Sequence, residues 1–349
     1  MSIKILHTWV DGRTCTAGCL FCSPLAGLRR PGWEVLRPEE LDVTLSRAEE
    51  GEFATLCFYG TGLLDLHEDL QEVLRMRVLH ARERGRVGPV RISLRSDQVH
   101  EEVIAAWLQA GLSQVELQVS SQADRARLWQ GAGHHHPDVE KAADLLKKSG
   151  LELGLHLHPG GPGSDPLSDS EDLRWALGLA PCRLRLTPVL VIAGTHLYRA
   201  WRGHLFQPLT LSQGIEVGHN LLSQADRAGV PVIRFGWQPA DLRIDPSEIL
   251  AGPYHPSLRG LVESHRLLAK VSSLLQGKVG PGQDLLLSVC PDQEHNLRGI
   301  QNSNLQQLRY LLRCRSIQVQ ADAGLTVGEL AWSVSTTSVT RGVVHPSNM

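Results

Sequence analysis

A chain of 349 residues with 35 Lys+Arg against 37 Asp+Glu has a formal net charge of −2, and 42% of it is apolar. That is enough apolar side chain for one large core and a smaller one, and near-neutrality excludes bulk electrostatic attraction as the means of holding nucleic acid. Seven cysteines, three of them clustered, exclude a secreted disulfide framework, while the absence of a signal-peptide layout and of any long apolar run points to a cytoplasmic protein with no membrane partner.

From Ile3 to about Phe235 short apolar runs alternate with amphipathic stretches. Strands are expected at Ile3–Val10, Ala54–Tyr59, Val90–Leu94, Gln114–Val119, Leu151–His158, Arg183–Ile192 and Val230–Phe235. Helices are expected at 38–50, 66–84, 98–110, 137–149, 168–178 and 210–228, with Asp138 and Thr210 fitting helix starts and Gly111, Gly150 and Gly229 fitting ends. Repeated strand–helix–strand units imply a parallel sheet with right-handed crossovers, which the pattern alone leaves open between a partial barrel and a doubly wound sheet.

Beyond Trp237 the rhythm changes. Residues 238–256 contain four prolines and read as a connector. A small α+β unit is expected over 257–335, with helices at 257–276 and 303–313 and strands at Leu285–Cys290 and Ile317–Gln320. The Ser/Thr-rich tail, 336–349, is expected to be loosely ordered. Residues 257–349 carry nine Lys/Arg against six Asp/Glu, so this part is +3 and the remainder −5. The sign favours an anionic partner for the C-terminal region.

The chemistry-bearing run is Cys15-Thr-Ala-Gly-Cys19-Leu-Phe-Cys22. Three thiolates at CxxxCxxC spacing can hold three irons of a 4Fe–4S cluster and leave the fourth iron open. A structural zinc site takes four protein ligands in paired groups, and no second pair follows. Cys57, Cys182, Cys290 and Cys314 show no paired spacing and read as small apolar residues.

This run resembles the signature of the radical S-adenosylmethionine (SAM) enzymes. A second, ordered series narrows the resemblance: Arg95-Ser96-Asp97, Val115-Glu116-Leu117, Gly133-His134, His156, Pro159-Gly160-Gly161-Pro162-Gly163-Ser164 and Thr187-Pro188-Val189 through Gly194-Thr195. Over roughly residues 1–236 the chain is similar to the radical SAM half of the Elongator catalytic subunit and to oxygen-independent coproporphyrinogen oxidases. The runs Val232–Pro239 and Ala251–Pro256 resemble a prokaryotic branch of that group.

The resemblance implies an α/β fold, a partial (β/α)6 TIM-like barrel over 1–237, with the C-terminal α+β appendage. It also implies a 4Fe–4S cluster on Cys15, Cys19 and Cys22, and SAM on the open iron, cleaved to a 5′-deoxyadenosyl radical that abstracts hydrogen. An electron donor of flavodoxin or ferredoxin type follows from that chemistry. Tyr59-Gly60-Thr61-Gly62 falls where the family keeps a glycine-rich turn at the SAM amino group, and glycine lets backbone approach a ligand closely. Phe21 falls near the adenine, and Glu116 on a strand lining the ligand cavity. His156 is a candidate contact to ligand or substrate.

Three positions depart from the relatives. Ser120 stands where they have Gln, Ala132 where they often have Arg, and a glutamate before Asp97 is missing. Arg95 is the candidate to replace the guanidinium that Ala132 lacks, since such a group would hold the SAM carboxylate bidentately.

His134, His135 and His136 read as a solvent-facing loop, because adjacent imidazoles aim poorly at one ion. For substrate, the segment 298–316 offers Arg298, Arg309, Arg313 and Arg315 with no acidic residue between. The order of loop, helix and strand there faintly resembles the RNA-binding KH module, with Gly299-Ile-Gln-Asn302 in place of its GxxG loop. An ordinary solvated helix face is the alternative reading of this segment, slightly favoured over RNA binding. The expected activity is radical hydrogen abstraction on a substrate that the sequence leaves unassigned, with a lean toward RNA modification. The alternatives are a non-catalytic iron–sulfur RNA-binding protein and a radical enzyme for a small metabolite. The roughly 110 residues after the barrel are too few for the acetyltransferase domain of the Elongator relatives.

Overall fold

The computed structural model describes residues 4–10, 20, 36–60, 62–119, 121, 136–237, 245–335 and the backbone of 339–344. The chain divides into two compact units, Met1–Pro256 and Ser257–Met349.

In the first unit seven strands run parallel: β1 (Ile5–Trp9), β2 (Ala54–Tyr59), β3 (Val87–Leu94), β4 (Leu112–Val119), β5 (Glu152–Leu157), β6 (Arg183–Leu186) and, after a short β7 (Val191–Ile192), β8 (Val232–Phe235). Their order in the curled sheet is β1-β2-β3-β4-β5-β6-β8, a half-barrel that follows the chain. Helices α1 (Pro38–Leu45), α2 (Glu68–Glu83), α3 (Glu101–Gln109), α4 (His136–Lys148), α5 (Pro166–Gly178), α6 (His196–Arg202) and α7 (Leu211–Arg227) provide the crossovers.

Local chemistry sets these boundaries. In α7, Thr210 and Gln213 form a capping box, each side chain accepting from the other's backbone N–H at 3.2 and 2.9 Å. Val217, Leu221, Leu222 and Ala225 then recur at helical spacing and are buried. Helix α5 begins at Pro166, two residues before its expected start, because Asp165 caps Ser168 and proline suits the first helical position. The expected strand Arg183–Ile192 is two strands. It breaks at Thr187-Pro188, where proline has no N–H to give a ladder, and β7 pairs antiparallel with β9 (Ile249–Ala251). The proline-rich stretch expected as a connector therefore supplies a strand to this unit.

The parallel sheet has two chemically distinct faces. Leu56, Phe58, Val90, Ile92, Leu94, Val115, Leu117, Leu155, Leu184 and Leu186 alternate along the strands and are all buried, forming the apolar core. The residues between them carry polar groups, and the register aligns them: Cys57 beside Arg91, Ser93 beside Glu116, Gln118 beside His156, His156 beside Arg185, Arg185 beside Arg234. Successive strand residues face opposite sides, so these share one face.

The second unit has a four-stranded sheet in the order β11-β10-β12-β13, from β10 (Asp284–Val289), β11 (Ser316–Ala321), β12 (Leu330–Ser335) and β13 (Val339–Val344). Strands β10 and β11 are parallel, and the other pairs antiparallel. Helices α8 (Leu258–Leu275), α9 (Pro291–Arg298) and α10 (Ser303–Leu312) contribute Val271, Leu275, Leu297, Leu308 and Leu312 to its core. The tail expected to be loosely ordered contains β13, which extends the sheet through β12.

Candidate active site on the polar face of the sheet

The polar face is buried although it is built from charged residues. Arg91, Ser93, Glu116, His156, Arg185 and Thr187 are each less than a tenth exposed. Buried charges persist only when paired and hydrogen-bonded. Glu116 Oε1 accepts from Arg185 at 3.0 Å and from the Ser93 hydroxyl at 3.2 Å, and His156 Nδ1 lies 3.9 Å away. Burial alone would raise the Glu116 carboxyl. The guanidiniums of Arg185 and Arg91, with those hydrogen bonds, outweigh it and hold the group below its ordinary value.

Tyr59 sits at the centre of the cationic part. Its hydroxyl accepts from Arg91 at 2.8 Å, and the guanidinium carbons of Arg185 and Arg91 lie 5.0 and 5.6 Å from its ring centre. His7 and Trp9 of β1 stack with the same ring at 5.3 and 5.0 Å.

A hydrogen-bonded chain runs from β4 to β6. The Gln118 amide donates to His156 Nδ1 at 3.4 Å, leaving Nε2–H to face Thr187 Oγ1 at 2.5 Å. Thr187 Oγ1 in turn lies 2.9 Å from His158 Nδ1. One hydroxyl has one proton to give, so Thr187 links the two imidazoles in one direction at a time. Burial lowers both histidines, His158 to about 4 and His156 well below its ordinary value, so both rings are neutral near pH 7.

At the C-terminal edge of the sheet the strand-ending loops gather, as the parallel topology requires. The cysteines Cys15, Cys19 and Cys22, with Phe21, Thr61, Ser120, Ala132, His134 and His135, lie outside the described residues. Leu20, between the second and third cysteines, is described, and its carbonyl accepts from the N–H of Leu197 in α6 at 3.0 Å. Gly60 turns at φ +90°, and a Cβ there would meet the carbonyl oxygen of Val10 at 2.5 Å. Only glycine fits where the ends of β1 and β2 converge.

Arg95 is placed differently from the expected SAM-carboxylate ligand. Its guanidinium is buried and bonded to two carboxylates, Asp65 at 2.8 Å and Asp97 at 3.0 Å, which fastens together the loops after β2 and β3. After β5, Gly160 N–H donates to Asp169 of α5 at 2.9 Å. Burial raises the Asp169 carboxyl to about 7, and the neighbouring Asp172 and Asp165 add to the rise. His136, expected in an exposed loop, opens α4 and stacks on Trp175 at 4.1 Å.

The structure thus brings Tyr59, Glu116 and His156 together on one face and sets Gly60, Gly62 and Arg95 in the loops at its edge. Sequence reasoning missed Arg91, Arg185, Thr187 and Asp169. The signal for the first three was present: Arg91-Ile-Ser93-Leu and Arg185-Leu-Thr187 alternate polar with apolar residues inside a parallel sheet, where both faces are normally apolar. Among the described residues no group of His, Cys, Asp or Glu is arranged to hold a metal, and Cys57, Cys182, Cys290 and Cys314 are free thiols. The three-cysteine run Cys15, Cys19 and Cys22 follows β1 in the sequence and lies outside those described residues. Arg91 and Arg185 flank the buried Glu116 carboxylate, and Arg234 neighbours Arg185 in the register.

A family model described as the radical SAM superfamily matches residues 9–174, and one described as the radical SAM C-terminal domain matches 181–267. The tRNA uridine(34) acetyltransferase of Methanocaldococcus infernus is 36% identical over 129 residues, 36% of this chain and 24% of that protein. The protein of the same description from Dehalococcoides mccartyi is 32% identical over 124 residues, 34% of this chain and 26% of that one. The chain thus spans about a quarter of the length of these curated relatives. Among solved structures, Methanocaldococcus infernus Elp3 superposes with a TM-score of 0.58 at 21% identity, covering 77% of this chain and 63% of that one. Streptococcus suis SuiB bound to S-adenosylmethionine gives 0.50 at 8% identity, covering 70% and 53%. Both show a shared fold. With two successive models of one family spanning most of residues 9–267, the chain belongs to the radical SAM superfamily, an enzyme class whose cofactors are a 4Fe–4S cluster and S-adenosylmethionine.

Proposed function

We propose that this protein modifies RNA, with transfer RNA as the substrate class, by hydrogen abstraction. A 4Fe–4S cluster and SAM held here would supply one-electron reductive cleavage of SAM, with methionine as the leaving group and 5′-deoxyadenosine as the product that carries away the substrate hydrogen. The observation that carries the reading is the buried polar sheet face, in a chain that has a CxxxCxxC run after its first strand and whose similarity to tRNA uridine(34) acetyltransferases extends over 129 residues.

The chain's own groups divide the work. Cys15, Cys19 and Cys22 would hold the cluster. Tyr59, Gly60, Thr61 and Gly62 would approach the SAM amino group, Phe21 would lie near the adenine, and Ser120 is a further candidate contact to the cofactor. Glu116, kept as a carboxylate by Arg185 and Arg91, accepts hydrogen bonds from ligand hydroxyls. Arg95 supports this site by fastening its two loops. His156, neutral and tied to Thr187, presents an uncharged imidazole to ligand or substrate. A small iron–sulfur or flavin protein delivers the electron.

The test is anaerobic reconstitution with iron and sulfide, then dithionite and SAM, with 5′-deoxyadenosine assayed in wild type and Cys19→Ala. Product in the wild type alone establishes the radical chemistry, and faster product formation with added transfer RNA supports the substrate class. A reduced cluster that leaves SAM intact refutes the enzyme reading. Cleavage that responds to small metabolites and not to RNA refutes the substrate class only.

A further inference from the structure

Helix α10 has two unlike faces. Asn304, Leu308 and Leu312 are buried in the core of the second unit. Gln306, Arg309, Tyr310 and Arg313 recur at i, i+3, i+4 and i+7 and so share the opposite, exposed face. Tyr310 is 82% exposed, the highest value of any large apolar or aromatic side chain among the described residues. Packing gives no reason for an aromatic ring there.

The arginines of this region are not equivalent. Arg298 bonds Glu294 at 2.7 Å and the Val319 carbonyl at 3.0 Å, and Arg315 is paired with Asp284. Arg309 and Arg313 form no ion pair with any described residue and border Tyr310 on the helix surface. Arg313 ends the helix at φ +54°, its N–H directed back to the Tyr310 carbonyl at 3.4 Å. Gln306, Arg309, Tyr310, Leu311, Arg313 and Cys314 line one open groove.

We infer that this face of α10 binds a single-stranded segment of RNA, one base stacking on Tyr310 while Arg309 and Arg313 contact the flanking phosphates and Gln306 offers its amide to a base edge. The inference rests on the RNA reading above. An exposed aromatic between two uncommitted guanidiniums matches the chemistry of single-strand recognition, in which every base offers a π-face and the backbone a line of negative charge. Charge complementarity supports it further, since no acidic residue lies between positions 298 and 316. A duplex keeps its bases stacked and has none to offer the ring.

The test uses the full, cluster-reconstituted chain and a fluorescein-labelled single-stranded oligoribonucleotide of mixed sequence, read by anisotropy over a salt series. Tyr310→Ala is expected to weaken binding about 5- to 100-fold, whereas Tyr310→Phe, which keeps the ring, binds like wild type. Arg309→Gln with Arg313→Gln is expected to lower the slope of log affinity against log salt by about 1.4. RNA-independent SAM cleavage, measured in parallel, stays unchanged in all three. Wild-type affinity in both Tyr310→Ala and the double variant overturns the inference and leaves the RNA substrate standing. Tighter binding of a duplex, or capture of labelled poly-glutamate in place of RNA, also overturns it. Failure of the wild type to bind any RNA while it cleaves SAM removes the inference and the RNA reading together.

Discussion

The backbone N–H of Leu197 donates to the carbonyl of Leu20 across 3.0 Å, tying α6 to the loop between Cys19 and Cys22. Amides in the first turn of a helix have no partner within it, so one of them is free to hold another segment. Thr195 fixes that turn: its buried Oγ1 accepts from Tyr198 N–H at 3.1 Å and donates to the Ile192 carbonyl at 2.7 Å. Thr195→Ala is expected to cost about 1 kcal/mol of stability and to loosen the cysteine loop. After reconstitution the variant should release iron to a chelator faster than wild type, with unchanged far-UV circular dichroism. Equal iron retention would sink the connection.

Asp169 and His158 bias stability with pH in opposite directions. The Asp169 pKa is raised in the fold to about 7, so the native state holds its proton more tightly than the unfolded chain does. Its contribution is complete below the ordinary carboxylate range and is lost as pH rises toward 7. His158, lowered to about 4, stays neutral in the fold while the unfolded chain takes up a proton. It therefore favours folding increasingly as pH rises from about 4 to 6.5. Asp169→Asn keeps an acceptor for Gly160 N–H and removes only the first effect. Its thermal midpoint should climb more steeply than that of wild type between about pH 4 and 6.5, the span between the two histidine values, and stay level through pH 7. Parallel profiles for the two proteins would refute the assignment.

Removing the Glu116 carboxylate takes from Arg185 its ion-pair partner, and from Arg91 a nearby counter-charge, among the described residues. Glu116→Ala is expected to destabilise the first unit by about 3–5 kcal/mol. Glu116→Gln should cost less, because its amide oxygen still accepts from Ser93. Equilibrium denaturation of the cluster-free chains under anaerobic conditions gives the comparison; a Glu116→Gln loss close to zero would mean that charge is not what matters there, and equal losses in the two variants would mean that the retained acceptor contributes nothing.

Gly60→Ala combines a left-handed backbone with a Cβ 2.5 Å from the Val10 carbonyl oxygen. A loss of roughly 2–4 kcal/mol is expected. Gly62 lies at φ −85°, which any residue adopts, so Gly62→Ala should be nearly neutral for stability. Thermal midpoints of the two variants decide whether the first glycine of this turn is required by the protein's own backbone.

Much of the architecture could be read from apolar periodicity. Every strand of the parallel sheet overlaps its expected position, because each has apolar residues alternating or running together over a short stretch between helical patterns. What escaped has physical reasons. Helix α9, Pro291–Arg298, buries only Leu297, so it shows no apolar stripe. Strands β12 and β13 lie in a Ser/Thr-rich region where pairing, not composition, makes the sheet. In the loop before α10 the second glycine of a GxxG pattern is missing, yet Asn302 adopts φ +61°, the left-handed conformation asparagine tolerates best after glycine. Within the candidate site, Tyr59, Glu116 and His156 were identified through resemblance, whereas the polar alternation that carries Arg91, Arg185 and Thr187 gained its meaning only when the sheet placed Arg91 and Arg185 around Glu116 and Thr187 against His156. The commitment of Arg95 to Asp65 and Asp97 depends on a partner 30 residues away that no spacing rule connects.

The pairing of β7 with β9 has a consequence for how this chain can be cut. A fragment ending at Trp237, where the strand–helix rhythm stops, would lack Ile249–Ala251 and leave the edge of Val191–Ile192 bare, together with the apolar contacts of Leu190 and Ile192 with Ile249 and Tyr254. Bare strand edges invite pairing between molecules. The natural seam lies at Pro256, after this segment has returned to the first unit. Expression fragments, and exchanges of C-terminal units between relatives, should be divided there.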